Sequence, residues 1–196
     1  MTLGFLYKLF LFYLEVSIFV AIFASVKETD MKIKRNIKIE EITHDELVDL
    51  FSTALCGSNK FGADYDTDWH KNLPDAKKQG DCFEDALADV LLNGGSIRIV
   101  DLFAEGEKYG NLSFEYVEPY TFDVLDPSED EKDDCCVAYS VDLDAVIDGL
   151  ESACSSKDEW IREAADRFID DERFDFDLDD GETLLQMITF GEVIYG

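Results

Sequence analysis

The sequence predicts an α+β domain: an antiparallel meander of about four strands with an added N-terminal strand, packed against amphipathic helices. Three observations carry this. Apolar residues recur at helical spacing behind capping-box patterns between residues 43 and 92. Four strand-like runs then follow between 96 and 141 without an intervening helical pattern. Helical stripes return from Leu143 to Val193.

The elements read in order. Ile33, Ile37 and Ile39 alternate with Lys34, Lys38 and Glu40, the pattern of a first strand. Thr43-x-x-Glu46 is a capping box, and Leu47, Leu50, Phe51, Ala54 and Leu55 form the helix stripe behind it until Gly57. Residues 59–80 read as a loop with one short helix near Trp69. Asp81-x-x-Glu84 repeats the capping device ahead of Phe83, Ala86, Leu87, Val90 and Leu91, and Gly94-Gly95 closes that helix. Strands are expected at 96–103, 112–117, 120–125 and 136–141, the first two as a hairpin across the turn residues 106–111. The separator 126–134 is too acidic to be buried and reads as a solvated loop. Leu143, Val146, Ile147, Leu150 and Cys154 make one helical stripe. Ile161, Ala164, Ala165 and Phe168 make another, capped by Ser156-x-x-Glu159. The last helix should begin near Asp179 or Asp180, capped by Asp179, and its apolar residues on more than one face predict a central place in the core.

Residues 1–30 stand apart. Leu3 to Val26 is a 24-residue apolar run, long enough to cross a bilayer, with Glu15 near its centre. If translated it predicts a membrane tether, and the cluster Lys32, Lys34, Arg35 and Lys38 would keep the rest on the cytoplasmic side. The competing reading starts the protein at Met31. Either way residues 31–196 are expected to form a single acidic globular domain, cytoplasmic in location.

The chain is 46% apolar and 13% aromatic, so it has the material for a core despite a formal net charge of −28. Cys56, Cys82, Cys135, Cys136 and Cys154 lack metal-ligand spacing, and the odd count prevents complete pairing, which predicts free thiols in a reducing compartment. Cys82 and Cys154 fall in helical patterns where a buried thiol acts as a small hydrophobe.

No segment carries a phosphate loop, a nucleophile elbow or a Cys–His pair. Asp175, Asp177 and Asp179 alternate like the start of a calcium loop, where oxygens at positions 1, 3 and 5 wrap a hard cation. The glycine and the bidentate glutamate that should follow are out of place, so calcium is only an alternative. Asp64, Asp66 and Asp68 beside His70 show the same alternation, and a carboxylate–histidine pair there is unspecific in so acidic a chain. His44, in a first helical turn, reads as a surface residue. The chain is expected to be no enzyme and to need no cofactor.

Charge is the main functional signal. Residues 101–196 hold 29 acidic and 6 basic residues. Such a load resists direct contact with nucleic acid or an anionic membrane surface and suits a basic protein surface as partner. The expected docking residues are Glu129, Asp130, Glu131, Asp133 and Asp134 in the loop, with Asp170, Asp171, Glu172, Asp175, Asp177, Asp179 and Asp180 before the last helix. The alternative is a DNA mimic that blocks a nucleic-acid-binding enzyme: a body about 40 Å across would present as much charge as the roughly 24 phosphates of DNA that length. Mimicry requires the carboxylates to share one face.

The blocks Ile42-Thr-His-Asp-Glu-Leu-Val-Asp-Leu-Phe51, Asp81-Cys-Phe-Glu-Asp-Ala-Leu-Ala-Asp-Val-Leu-Leu-Asn-Gly-Gly95 and Phe190-Gly-Glu-Val-Ile-Tyr-Gly196 resemble a group of small acidic proteins from phages and mobile elements of gut bacteria. The resemblance covers residues 31–196 and brings no activity or site with it. A mobile-element setting implies, by analogy, an inhibitor of host DNA-binding defence enzymes.

Overall fold

The computed structural model describes residues 39, 41–104, 107–128, 131–169 and 175–195. The apolar run 3–26 and most of the expected first strand at 33–39 lie outside the described residues. Of that strand Ile39 alone is described. It is not in a strand, and its N–H donates to Glu151 Oε1 at 2.8 Å.

The fold is α+β, with six helices and a five-stranded antiparallel sheet among the described residues. The helices are α1 (His44–Leu55), α2 (Thr67–Lys71), α3 (Phe83–Leu92), α4 (Leu143–Cys154), α5 (Glu159–Ile169) and α6 (Leu178–Phe190). The strands are β1 (Phe61–Tyr65), β2 (Ile97–Asp101), β3 (Phe114–Val117), β4 (Val124–Leu125) and β5 (Cys136–Val141), in the order β1-β2-β5-β3-β4. The strand order corrects the expected meander. β2 and β3 do not form a hairpin, because β5 lies between them and pairs with both. The reason is burial: β5 carries no charge and five of its six residues are buried, so it takes the centre, while β3, with Glu115, moves outward. The fifth strand is β1, inside the segment expected to be loop, and the short helix near Trp69 is α2.

Local chemistry sets the helix starts. Thr43 and Glu46 form the expected capping box, with Thr43 N–H donating to Glu46 Oε2 at 2.7 Å. At α3 the box is displaced by one residue. Cys82 Sγ accepts from the Asp85 N–H at 3.4 Å and Asp85 Oδ2 accepts from the Cys82 N–H at 2.9 Å, so Cys82 is an exposed cap rather than a buried thiol. Before α5, the Ser156 hydroxyl accepts from the Asp158 N–H at 3.2 Å instead of forming a box with Glu159. α6 begins earlier than expected: Asp177 is its cap and accepts from the Asp180 N–H at 3.1 Å.

All the long helices cover one face of the sheet. Ile97, Ile99, Val137, Tyr139 and Val141 point into a core with Leu47, Leu50, Phe51, Leu87, Leu91, Val146, Leu150, Ile161, Phe168, Leu184, Leu185 and Ile188. α6 is its centre, with 11 of its 13 residues buried, as its two-sided apolar pattern predicts. Two glycines allow its neighbours close. A Cβ at Gly181 would sit 2.8 Å from the Ala54 backbone N on α1, and one at Gly149 on α4 would sit 2.4 Å from Ile188 Cα.

A helix so buried must find internal partners for its polar side chains, and of its buried ones all but the Thr189 hydroxyl do so. Glu182 accepts from Lys60 Nζ and from the Ser58 hydroxyl, both at 2.7 Å. Asp180 accepts two bonds of 2.7 Å from the Arg167 guanidinium. The Thr183 hydroxyl donates to Asp179 O at 2.7 Å. Gln186 holds the C-terminal strap: its Oε1 accepts from the N–H groups of Ile194 and Tyr195 at 2.8 and 2.7 Å, and its Nε2 donates to Tyr195 O at 3.0 Å.

The strap ends on a buried acid. Asp101 is fully buried and accepts from the Tyr195 hydroxyl at 2.8 Å and the Phe103 N–H at 3.0 Å. Burial pushes its carboxyl above the ordinary aspartate range, against those two hydrogen bonds. Burial likewise pushes Tyr139 up to about 12, and burial with the Asp101 contact pushes Tyr195 up as well. Because all three values are raised, the folded chain keeps these protons to higher pH than the unfolded chain does. Their contribution is complete below each unfolded pKa and is lost as pH rises through the folded one. Thermal unfolding should therefore show a falling midpoint above about pH 10, the unfolded tyrosine value. Absorbance at the tyrosinate band should show two tyrosines that ionise only with unfolding. Ionisation of all eight tyrosines near their ordinary value in a still-folded chain would contradict this burial.

Candidate interaction surface

Among the described residues the other face of the sheet carries no helix. Register places Gly62, Val100, Ala138 and Glu115 in one row across it, and Asp64, Arg98 and Ser140 in the next. The first row is roofed by Phe122, which packs with Val100, Val117, Cys136 and Ala138. A Cβ at position 62 would lie 2.9 Å from the Phe122 ring, so β1 needs glycine there. Phe122 has φ of 58°, a left-handed conformation that costs a bulky residue of order 1 kcal/mol or more and is offset by burial of its ring. This turn is why the strand expected over 120–125 is reduced to Val124–Leu125.

The second row floors an open groove of about 440 Å³, lined by Tyr65, Asp66, Ser96, Arg98, Ser113, Phe114, Glu115, Ala138 and Ser140. Arg98 pairs with Asp64 across β1 and β2 and lies 3.8 Å from Glu115 Oε2. Its charge is therefore already answered, and the lining contains neither histidine nor cysteine. The alternation of Ile97 and Ile99 with Arg98 was the signal for this residue, since period two puts Arg98 opposite the core.

The expected docking residues divide into three groups. Glu131, Asp134, Asp175, Asp177 and Asp179 are exposed. Glu129, Asp130, Asp170, Asp171 and Glu172 lie outside the described residues, and of Asp133 only the backbone is described, in the turn Lys132–Asp134. Asp180 is a correction: it is buried and held by Arg167, because α6 turns its first-turn carboxylate inward toward α5. Glu131 closes its own loop by accepting from the Ser128 hydroxyl at 2.7 Å and the Ser128 N–H at 3.0 Å, and these bonds hold its carboxyl below the ordinary range.

The calcium-type alternative fares differently. The Asp177 carboxylate is engaged as the α6 cap, with Asp179 two residues on within the first helical turn. Among the described residues no three His, Cys, Asp or Glu side chains are arranged to hold a metal ion. The two histidines meet elsewhere. His70 Nε2 lies 3.2 Å from Asp89 Oδ2 and His44 Nε2 lies 3.5 Å from Asp89 Oδ1, while the Gln79 N–H donates to the same carboxylate. His44 is thus buried at the α1–α3 contact, not on the surface, and His70 turns from Asp64, Asp66 and Asp68 to a partner 19 residues away. All five cysteines are thiols rather than disulfides.

Carboxylates dominate what solvent meets. Among the described residues 25 Asp and Glu side chains are exposed, against 10 Lys and Arg in all. Several of those cations are engaged: Lys60 with Glu182, Arg98 with Asp64, Arg167 with Asp180, Lys71 with Asp68 and Lys78 with Asp75. Exposed acids occur on α1 (Asp45, Asp49), α4 (Asp144, Asp148) and α5 (Glu159, Glu163, Asp166), and around the Phe122 turn on the opposite side of the sheet (Glu118, Asp123).

Comparison with family models, curated proteins and solved structures finds no match to this chain. Among the described residues no helix is long and apolar enough to cross a membrane.

Proposed function

We propose that this chain is a non-enzymatic docking protein whose carboxylate surface binds a basic partner protein. The observation that carries the reading is the imbalance at the surface: 25 exposed carboxylates with 10 described cations, at least five of them already paired with carboxylates. Residual negative charge on that scale steers a cationic surface into encounter and rejects anionic ones. The DNA-mimic alternative needs these charges on one face. Carboxylates on the helical layer and on the far side of the sheet favour the more general reading.

The test is capture of partners by the full chain from lysate of its source cells. At about 0.1 M salt the Debye length is about 10 Å, and at about 1 M it is about 3 Å. Retention of basic proteins at the lower concentration and their release at the higher is expected. Retained proteins no more basic than the lysate, or retention indifferent to salt, would overturn the proposal.

A further inference from the structure

Resting on that docking reading, we infer that the β3–β4 hairpin is its docking element and takes an extended, lysine- or arginine-bearing segment of another protein as an added strand along β4. Of eight large apolar side chains exposed among the described residues, three (Tyr120, Val124 and Leu125) lie in this one hairpin. Tyr120 is 94% exposed, and both residues of β4 face solvent, where β3 is the sole strand paired with β4 among the described residues.

The backbone is available too. Glu118 N–H donates to Asp123 O at 3.0 Å, which makes 118 and 123 a hydrogen-bonded pair. Antiparallel alternation then makes Val117 and Val124 a non-bonded pair, so the Val124 N–H and C=O point away from β3, where an incoming strand would meet them.

The hairpin is also rigid and charged. Phe122 anchors it against the sheet's small apolar cluster in a left-handed conformation held by that packing and by its own N–H, which donates to Glu118 O at 3.0 Å. Glu118 Oε2 and Asp123 Oδ2 both lie 2.9 Å from the Thr121 hydroxyl, which has one proton and can donate to only one of them. Asp126 follows directly after β4, and Glu115 precedes on β3. These carboxylates guard the open edge against a second copy of a chain with net charge −28, and against any acidic strand. A strand with cations beside its apolar residues is the occupant that both relieves the repulsion and covers Tyr120, Val124 and Leu125.

The probes are three synthetic heptapeptides (alternating Lys–Val, all-Lys and alternating Glu–Val) titrated into the full chain at low salt and followed by backbone amide NMR. The Lys–Val peptide should shift the amides of 117–126 and bind about tenfold more weakly to Val124→Pro, which lacks the outward donor. Tyr120→Ser alters a nearly fully exposed side chain, keeps the test valid should Val124→Pro disturb the fold, and should also weaken binding. Shifts of the Lys–Val peptide spread over other carboxylates, or unaffected by either substitution, would overturn the hairpin assignment while leaving the docking surface standing. Binding of neither lysine peptide would overturn both, and equal binding of the Glu–Val peptide would remove the role given to charge.

Discussion

A chain ending at Thr183 is expected to show no cooperative unfolding transition. It lacks Leu184, Leu185, Met187, Ile188 and Phe190, all buried in the main core. At about 2 kcal/mol for each such side chain, the loss is roughly 10 kcal/mol. That is the whole stability of an ordinary domain, about 5–15 kcal/mol. Gln186 and the strap it holds go with them, so buried Asp101 also loses its hydrogen bond from the Tyr195 hydroxyl. Urea unfolding followed by tryptophan fluorescence checks this, and a sharp sigmoid transition in the truncated chain would show that α6 is not the core element described.

Gly149→Val should also be damaging, by the opposite route. The first added carbon already falls 2.4 Å from Ile188 Cα and 2.8 Å from Ile188 N, and backbone atoms cannot turn aside as a side chain does. α4 must back away from α6, which opens the core on both sides of the contact. Overpacking of this kind costs about 3 kcal/mol or more, and for a chain of this size a melting point lower by about 10 °C. Gly57→Ala is the control: φ there is 88°, and nothing lies within 4 Å of the added carbon. It should cost about 1–2 kcal/mol through backbone strain alone. Equal losses from the two substitutions would mean that close approach of α4 to α6 is not what Gly149 provides.

Much of the fold was legible in the sequence because local chemistry and burial agreed there. β5 occupies the residues its apolar run indicates, and the Thr43–Glu46 box starts α1 where the pattern places it. Legibility failed where a distant partner decides. Phe61-Gly-Ala-Asp-Tyr65 has no β-branched residue, and it is a strand because β2 offers it an edge. Four aspartates between 175 and 180 compete to cap α6; Asp177 takes the role, and Arg167 draws Asp180 inward, 13 residues away in sequence. At α3 two overlapping boxes fit the pattern, and the one built on a weakly accepting thiol is the one formed. The histidines gave no sign of their meeting, since Asp89 lies 19 residues from His70 and 45 from His44.

The candidate surface divides in the same way. Composition shows that acid dominates, and most of the described docking residues are exposed. Composition does not show which cations are already engaged, and pairs such as Lys60–Glu182, 122 residues apart, become visible only once the chain is folded. The exposed trio of the β3–β4 hairpin was hidden by its own strand-like residues, because the left-handed turn at Phe122 answers in part to the roofing of Val100 and Ala138, which lie far off in sequence.

The most direct test of an uncompensated carboxylate surface is the salt dependence of its association constant with a captured partner. Log K against log salt should fall linearly and steeply, losing at least about tenfold between about 0.1 M and about 1 M salt. A flat line would mean that contacts other than charge hold the complex, and would contradict the account.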